Sequence, residues 1–93
     1  MAAGKCYNIT VRGINLKIRK DILDDIEVVE LLGEVQEGNV FAFTELSKLM
    51  FGDEGYQKVK RGLATDDGRT RVTDMSAFLV EALEACNALA AKN

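Results

Sequence analysis

The residues able to do chemistry are few, and each has a plain structural use. Asp24 and Asp25 are neighbours, and two adjacent carboxylates could share a proton and work as an acid and base pair. Carboxylates at a helix start also answer the positive end of the helix dipole. Because "DDIEVVELLGEVQEG" reads as a helix opening here, the pair is assigned to that helix and not to catalysis. Cys6 and Cys86 lie near opposite ends of the chain, in no CxxC or metal-ligand spacing. The chain has no histidine, so a zinc site would need an unusual ligand set. Both cysteines are expected to be small, reduced core residues of a cytoplasmic protein. "ATDDGRTRV" invites a calcium-loop reading, which fails on its positions. With Gly68 sixth in the loop, the first and third fall on Leu63 and Thr65, which are not carboxylates, and the twelfth falls on Asp74 and not on glutamate. Asp67-Gly68 is read as a turn. No Ser, Thr or Cys has a recognisable activating partner, and without histidine general-base work would fall to carboxylates or lysines. No enzyme activity, metal or cofactor is expected.

"LMFGDEGYQKVK", residues 49–60, holds the remaining candidate, a glycine-containing break. It matches neither GxxxxGK[ST] nor GxGxxG, so it is not a phosphate loop. Gly52 suits the left-handed position that ends a helix, and Asp53 suits the N-cap of a new one carrying Tyr56, Val59 and Leu63 inward. The break is therefore read as a corner between helices.

The elements that place these residues follow from periodicity. In "CYNITVRGINLKIRK", Tyr7, Ile9 and Val11 alternate with Asn8, Thr10 and Arg12, and after Gly13 the alternation resumes with Ile14, Leu16 and Ile18. This predicts a β-hairpin over 5–19, with one face needing apolar cover because a lone hairpin is marginal in water. The next segment starts with Asp24 and Glu27 in capping-box spacing, puts Ile26, Val29, Leu32 and Val35 on one stripe widened by Val28 and Leu31, and ends at Gly38. Asn39 is the expected N-cap of a helix whose inner face carries Phe43, Leu46, Leu49 and Met50. The last helix opens at Thr73 and carries Met75, Phe78, Leu79, Ala82, Leu83, Cys86 and Leu89 inward, with an alanine-rich end, 85–91, suited to helix packing. The expected fold is one domain, 1–93, of the α+β class and mainly helical: the hairpin followed by about four helices over 21–92.

The 93 residues are 47% hydrophobic and 29% charged, the balance of a globule with one modest core that oligomerisation or a partner would help. No apolar run approaches a membrane span, and "MAAGKC" lacks the apolar stretch of a signal peptide. A net charge of -3 argues against a general nucleic-acid binder, which needs clustered Lys and Arg. The corner at Gly52 could be imagined as a helix-turn-helix, but Asp53 and Glu54 then stand where base contacts are needed. Charge is unevenly spread. From Asp21 to Glu37 every charged residue is acidic, and from Tyr56 to Val72 basic residues prevail. These are either solvated faces or complementary patches that steer neighbouring copies together, with Glu27, Glu30 and Glu34 against Lys58, Lys60 and Arg61.

In order along the chain, the hairpin, "DDIEVVELLGEVQEGN", "FAFTELSKLMFGDEGYQKVK" and "DDGRTRVTDMSAFLVEALEA" resemble the small tail assembly chaperones of long-tailed phages and prophages of Gram-positive hosts. The resemblance runs over nearly the whole chain, though none of its strings is a chemical signature. It implies a non-enzymatic protein of the host bacterial cytoplasm, a homo-oligomer that binds the tape measure protein, keeps it soluble and helps bring tail tube subunits to it. Such a protein is lost from the finished virion. Holding an aggregation-prone helical chain calls for adaptable apolar contact, and Phe41, Met50, Phe51 and Tyr56 are the residues suited to it. The family also commonly makes a longer product by ribosomal frameshifting. Ala91-Lys92-Asn93 admits codons containing the slippery heptamer A AAA AAC, which the end of the gene would test. The rival within the same setting is a structural component, a head-tail connector or tail terminator, that stays in the particle.

Overall fold

The structure, a computed structural model, describes residues 5–91. Met1–Gly4, on which the reading of the N-terminus leans, and Lys92 and Asn93, on which the frameshift reading leans, lie outside them.

The alternation at the start of the chain becomes two strands, Cys6–Val11 (β1) and Ile14–Arg19 (β2), paired antiparallel with Val11 opposite Ile14 and Cys6 opposite Arg19. Arg12 and Gly13 make the turn, both at positive φ (52° and 79°), the primed geometry whose twist matches that of the strands. Ile9, Val11, Ile14, Leu16 and Ile18 are buried on one face. The other face is polar, and there Thr10 Oγ1 donates to Asn15 Oδ1 across the pair at 2.6 Å.

Among the described residues, a 3-10 turn at Ile22–Asp24 is followed by three helices and not about four: Ile26–Gln36 (α1), Val40–Leu63 (α2) and Val72–Ala91 (α3). The expected division at Gly52 is present as a sharp corner inside α2, where Gly52 takes φ 75°, ψ 167°. That region of backbone space is open essentially to glycine alone, so a single residue turns the chain and helix continues on both sides.

Other boundaries shift by a residue. The cap of α1 is Asp25 and not Asp24; its carboxylate accepts from the Glu27 N–H at 3.0 Å. The last helix opens at Val72 and not at Thr73. Gly38 closes α1 as expected, at φ 96°. Its N–H donates to the Val35 carbonyl and the Asn39 N–H to the Glu34 carbonyl, both at 3.0 Å, which satisfies carbonyls the helix end would otherwise strand.

The core lies between the covered face of the hairpin and the helices, with β2 against α2 and β1 against α3, while α1 packs on the flank of α2. Phe78, Ile18, Ile22, Leu46, Val28 and Val59 are fully enclosed. Ser47 is enclosed too, its hydroxyl donating to the Phe43 carbonyl at 2.9 Å, which is how a buried hydroxyl is kept satisfied. Cys86 joins this core, whereas Cys6, expected there as well, is only half-buried. As the residue next to Tyr7, it alternates onto the polar face of the hairpin.

Candidate functional site

The N-terminal end of α2 is built from both sides. Asn39 follows the glycine that closes α1, and its side-chain oxygen accepts from the N–H groups of Phe41 and Ala42 at 3.1 and 3.3 Å. Its amide nitrogen donates back to Glu34 at 3.1 Å. One residue therefore ends one helix, starts the next and ties the two together, so the first turn of α2 is held firmly.

That turn presents Val40, 53% exposed, and Phe41, 82% exposed. Beside Val40 is a groove of about 150 Å³ lined by Val35, Gly38, Asn39, Val40, Phe43, Val72 and Ser76, where the end of α1 and the starts of α2 and α3 converge. Val72, 55% exposed, also lines it. On the face of α2 that carries Phe41, Glu45, Lys48 and Leu49 follow one and two turns on. With Glu27 and Leu31 of α1 they line a second hollow. The first groove is thus mostly apolar, and the second sets Leu31 and Leu49 among Glu27, Glu45 and Lys48.

Of the four residues singled out for partner contact, two are not available. Met50 and Phe51 are buried in the core, and Phe51 meets Phe78 edge to face. A position just before a corner packs against whatever the corner folds back upon, here the hairpin and α3. Tyr56 is half-buried, with Lys48 Nζ and Lys60 Nζ each 5.5 Å from the centre of its ring, close enough for cation–π attraction. Phe41 alone of the four stands fully in the open. The expected inner stripe of α1 is corrected in the same way: Val28 takes the core position, while Ile26 and Val29 are exposed. Both belong with Leu23 to the apolar residues left outside.

The charged residues divide similarly. Glu27, Glu30 and Glu34 are exposed on α1, and none pairs with a Lys or Arg among the described residues. The three cations on α2 are differently engaged. Lys58 donates to the Asn15 carbonyl at 2.8 Å, Lys60 lies over Tyr56, and Arg61 is exposed. Elsewhere Arg19 sits 3.0 Å from Asp25. Its hydrogen bond, aided by the Glu27 N–H, holds the Asp25 carboxyl below its usual range. Among the described residues no group of three or more Cys, Asp or Glu is placed to hold a metal ion, and no helix is long and apolar enough to cross a membrane.

The sequence reading passed over Val40 and Val72. Each is the first residue of its helix, a position too close to the end for helical periodicity to say which way it points. The one local signal was the N-cap Asn39, which places the side chains that follow it at a helix end.

Compared with protein-family models, with curated proteins and with solved structures, the chain finds no match in any of the three.

Proposed function

We propose that this chain is a phage tail assembly chaperone. It binds the tape measure protein in the host bacterial cytoplasm, keeps it soluble, helps bring tail tube subunits to it, and leaves before the virion is complete. The observation that carries the reading is Phe41, an aromatic side chain 82% exposed on a firmly capped helix start, beside a groove walled by Val40 and Val72. An amphipathic helix of an unassembled partner seats its apolar stripe in such a groove. The exposed carboxylates Glu27, Glu30 and Glu34 favour basic residues on the rim of that helix and speed the encounter. The order of segments along the chain, which resembles that of the chaperones, supports the same reading.

Co-expression with the tape measure protein tests it. The partner's soluble fraction is expected to rise in the presence of this chain, the two are expected to co-purify, and Phe41→Ser is expected to abolish both effects. Unchanged solubility, together with detection of this chain in purified virions by mass spectrometry, would instead support a structural component retained in the particle.

A further inference from the structure

We propose that β1 pairs with β1 of a second copy of this chain, antiparallel and centred on Ile9, joining two hairpins into one continuous sheet. The two edges of the hairpin are finished differently. Val11 and Ile14 flank the two-residue turn and so form a hydrogen-bonded pair. The alternation runs on to the Lys20 N–H, which donates to the Lys5 carbonyl at 3.2 Å. The peptide groups of Asn8 and Thr10 in β1, and of Asn15 and Lys17 in β2, therefore point outward. On β2 that edge is guarded. Lys58 Nζ occupies the Asn15 carbonyl at 2.8 Å, and Lys17 sets a positive charge on the strand, the means by which edge strands resist further pairing.

β1 has none of these guards. Its six residues, CYNITV, include no charge and no proline, and the register against β2 runs without a bulge. Asn8 and Thr10 are exposed, and among the described residues nothing hydrogen-bonds to their outward peptide groups. A short uncharged stretch of β-forming residues at an open edge is a template for another strand.

Charge and side-chain register select a second copy as that strand. β2 against itself would bring Lys17 of two copies to one seam, whereas β1 against itself opposes no like charges. Centred on Ile9, the pairing sets Ile9 opposite Ile9 and Tyr7 opposite Val11 on the covered face. On the polar face it sets Asn8 opposite Thr10 and Cys6 opposite Arg12. Faces thus match along the seam, as strand pairing requires. Two cations come near the seam: Arg12, paired with Glu81 at 2.7 Å, and Lys20, whose Nζ lies 5.4 Å from the centre of the Tyr7 ring. None of the residues around Phe41 takes part, so this pairing and the chaperone reading fail separately.

Native mass spectrometry and light scattering of the full chain test the pairing. The wild type is expected to be a dimer or a multiple of dimers at high micromolar concentration. The double substitution Asn8→Glu with Thr10→Glu sets carboxylates opposite one another across the seam at two exposed sites. It is expected to weaken the dimer by roughly tenfold or more, while Lys17→Ser on the guarded edge leaves it intact. Circular dichroism checks that each variant is folded. Should the paired Glu substitutions unfold the hairpin, hydrogen exchange of the wild type decides: the Asn8 and Thr10 amides are protected if the pairing forms. A monomeric wild type, an assembly that survives the double substitution in folded form, or free exchange at Asn8 and Thr10 in the assembled protein overturns it.

Discussion

The ring of Phe51 meets that of Phe78 edge to face, with 5.7 Å between centroids and the planes 80° apart. This contact joins the end of the first half of α2 to the first half of α3, beneath the hairpin. Removing the Phe51 ring takes away buried apolar area and the aromatic pairing and leaves a cavity. Phe51→Ala is expected to cost about 3–5 kcal/mol, a large part of the roughly 5–15 kcal/mol that a domain commonly has. Urea unfolding checks this, and a loss below about 1 kcal/mol would mean that Phe51 is not in the core.

Phe41 is expected to behave oppositely. Phe41→Ser removes an exposed ring and should move stability by no more than about 0.5 kcal/mol, while the soluble yield of a co-expressed tape measure protein falls. Tested side by side, Phe41 and Phe51 separate contact from core, and loss of stability in Phe41→Ser would place its ring in packing.

Gly52 carries the corner of α2. A Cβ there meets no neighbouring atom, so any effect of Gly52→Ala comes from the backbone. The expected loss is about 1–3 kcal/mol, the cost of holding a non-glycine residue in that region. Gly33→Ala, within α1 and equally free of neighbours, should instead stabilise by roughly 0.5–1 kcal/mol. Thermal melts of the two variants should therefore move in opposite directions.

Acid should loosen the fold through its paired carboxylates. Arg12 donates to both oxygens of Glu81, at 3.0 and 2.7 Å, and holds that carboxyl below its ordinary value of 4.5. Asp25 is lowered by Arg19 and then by the Glu27 N–H. Asp67 is lowered first by the Thr65 hydroxyl and then by the Arg69 N–H. A carboxyl with a lower pKa when folded stabilises fully above its unfolded value and loses that contribution as pH falls through the folded one. The urea midpoint should therefore be flat from neutral pH down to about 5 and fall below about 4.5. Glu81→Gln should make the fall shallower, and an unchanged profile would count against the Arg12 pair.

The two thiols should react at different rates. Cys86 lies in the core, and burial pushes its thiol upward, away from the reactive thiolate. Cys6 is half-buried at the strand start. A thiol reagent should modify Cys6 in the folded protein and reach Cys86 only on unfolding, so that denaturant accelerates the second phase. Two equally fast thiols would contradict the packing of α3.

Much of this protein was determined within a few residues of chain. The hairpin is legible because alternation and a glycine turn are local. The caps at Gly38 and Asn39 and the corner at Gly52 are legible because each depends on the conformation of a single residue. Tertiary structure alone decided which apolar residues stay inside. The α1 stripe is wider than the surface α2 can cover, so Val28 is enclosed while Ile26 and Val29 are left out. Met50 and Phe51 looked as available as Phe41 until the corner laid them against the hairpin and α3. Grooves made by three helix ends leave no periodic trace, and neither does the contrast between a guarded and an unguarded strand edge. Both depend on where distant residues, Val72 in one case and Lys58 in the other, arrive after folding.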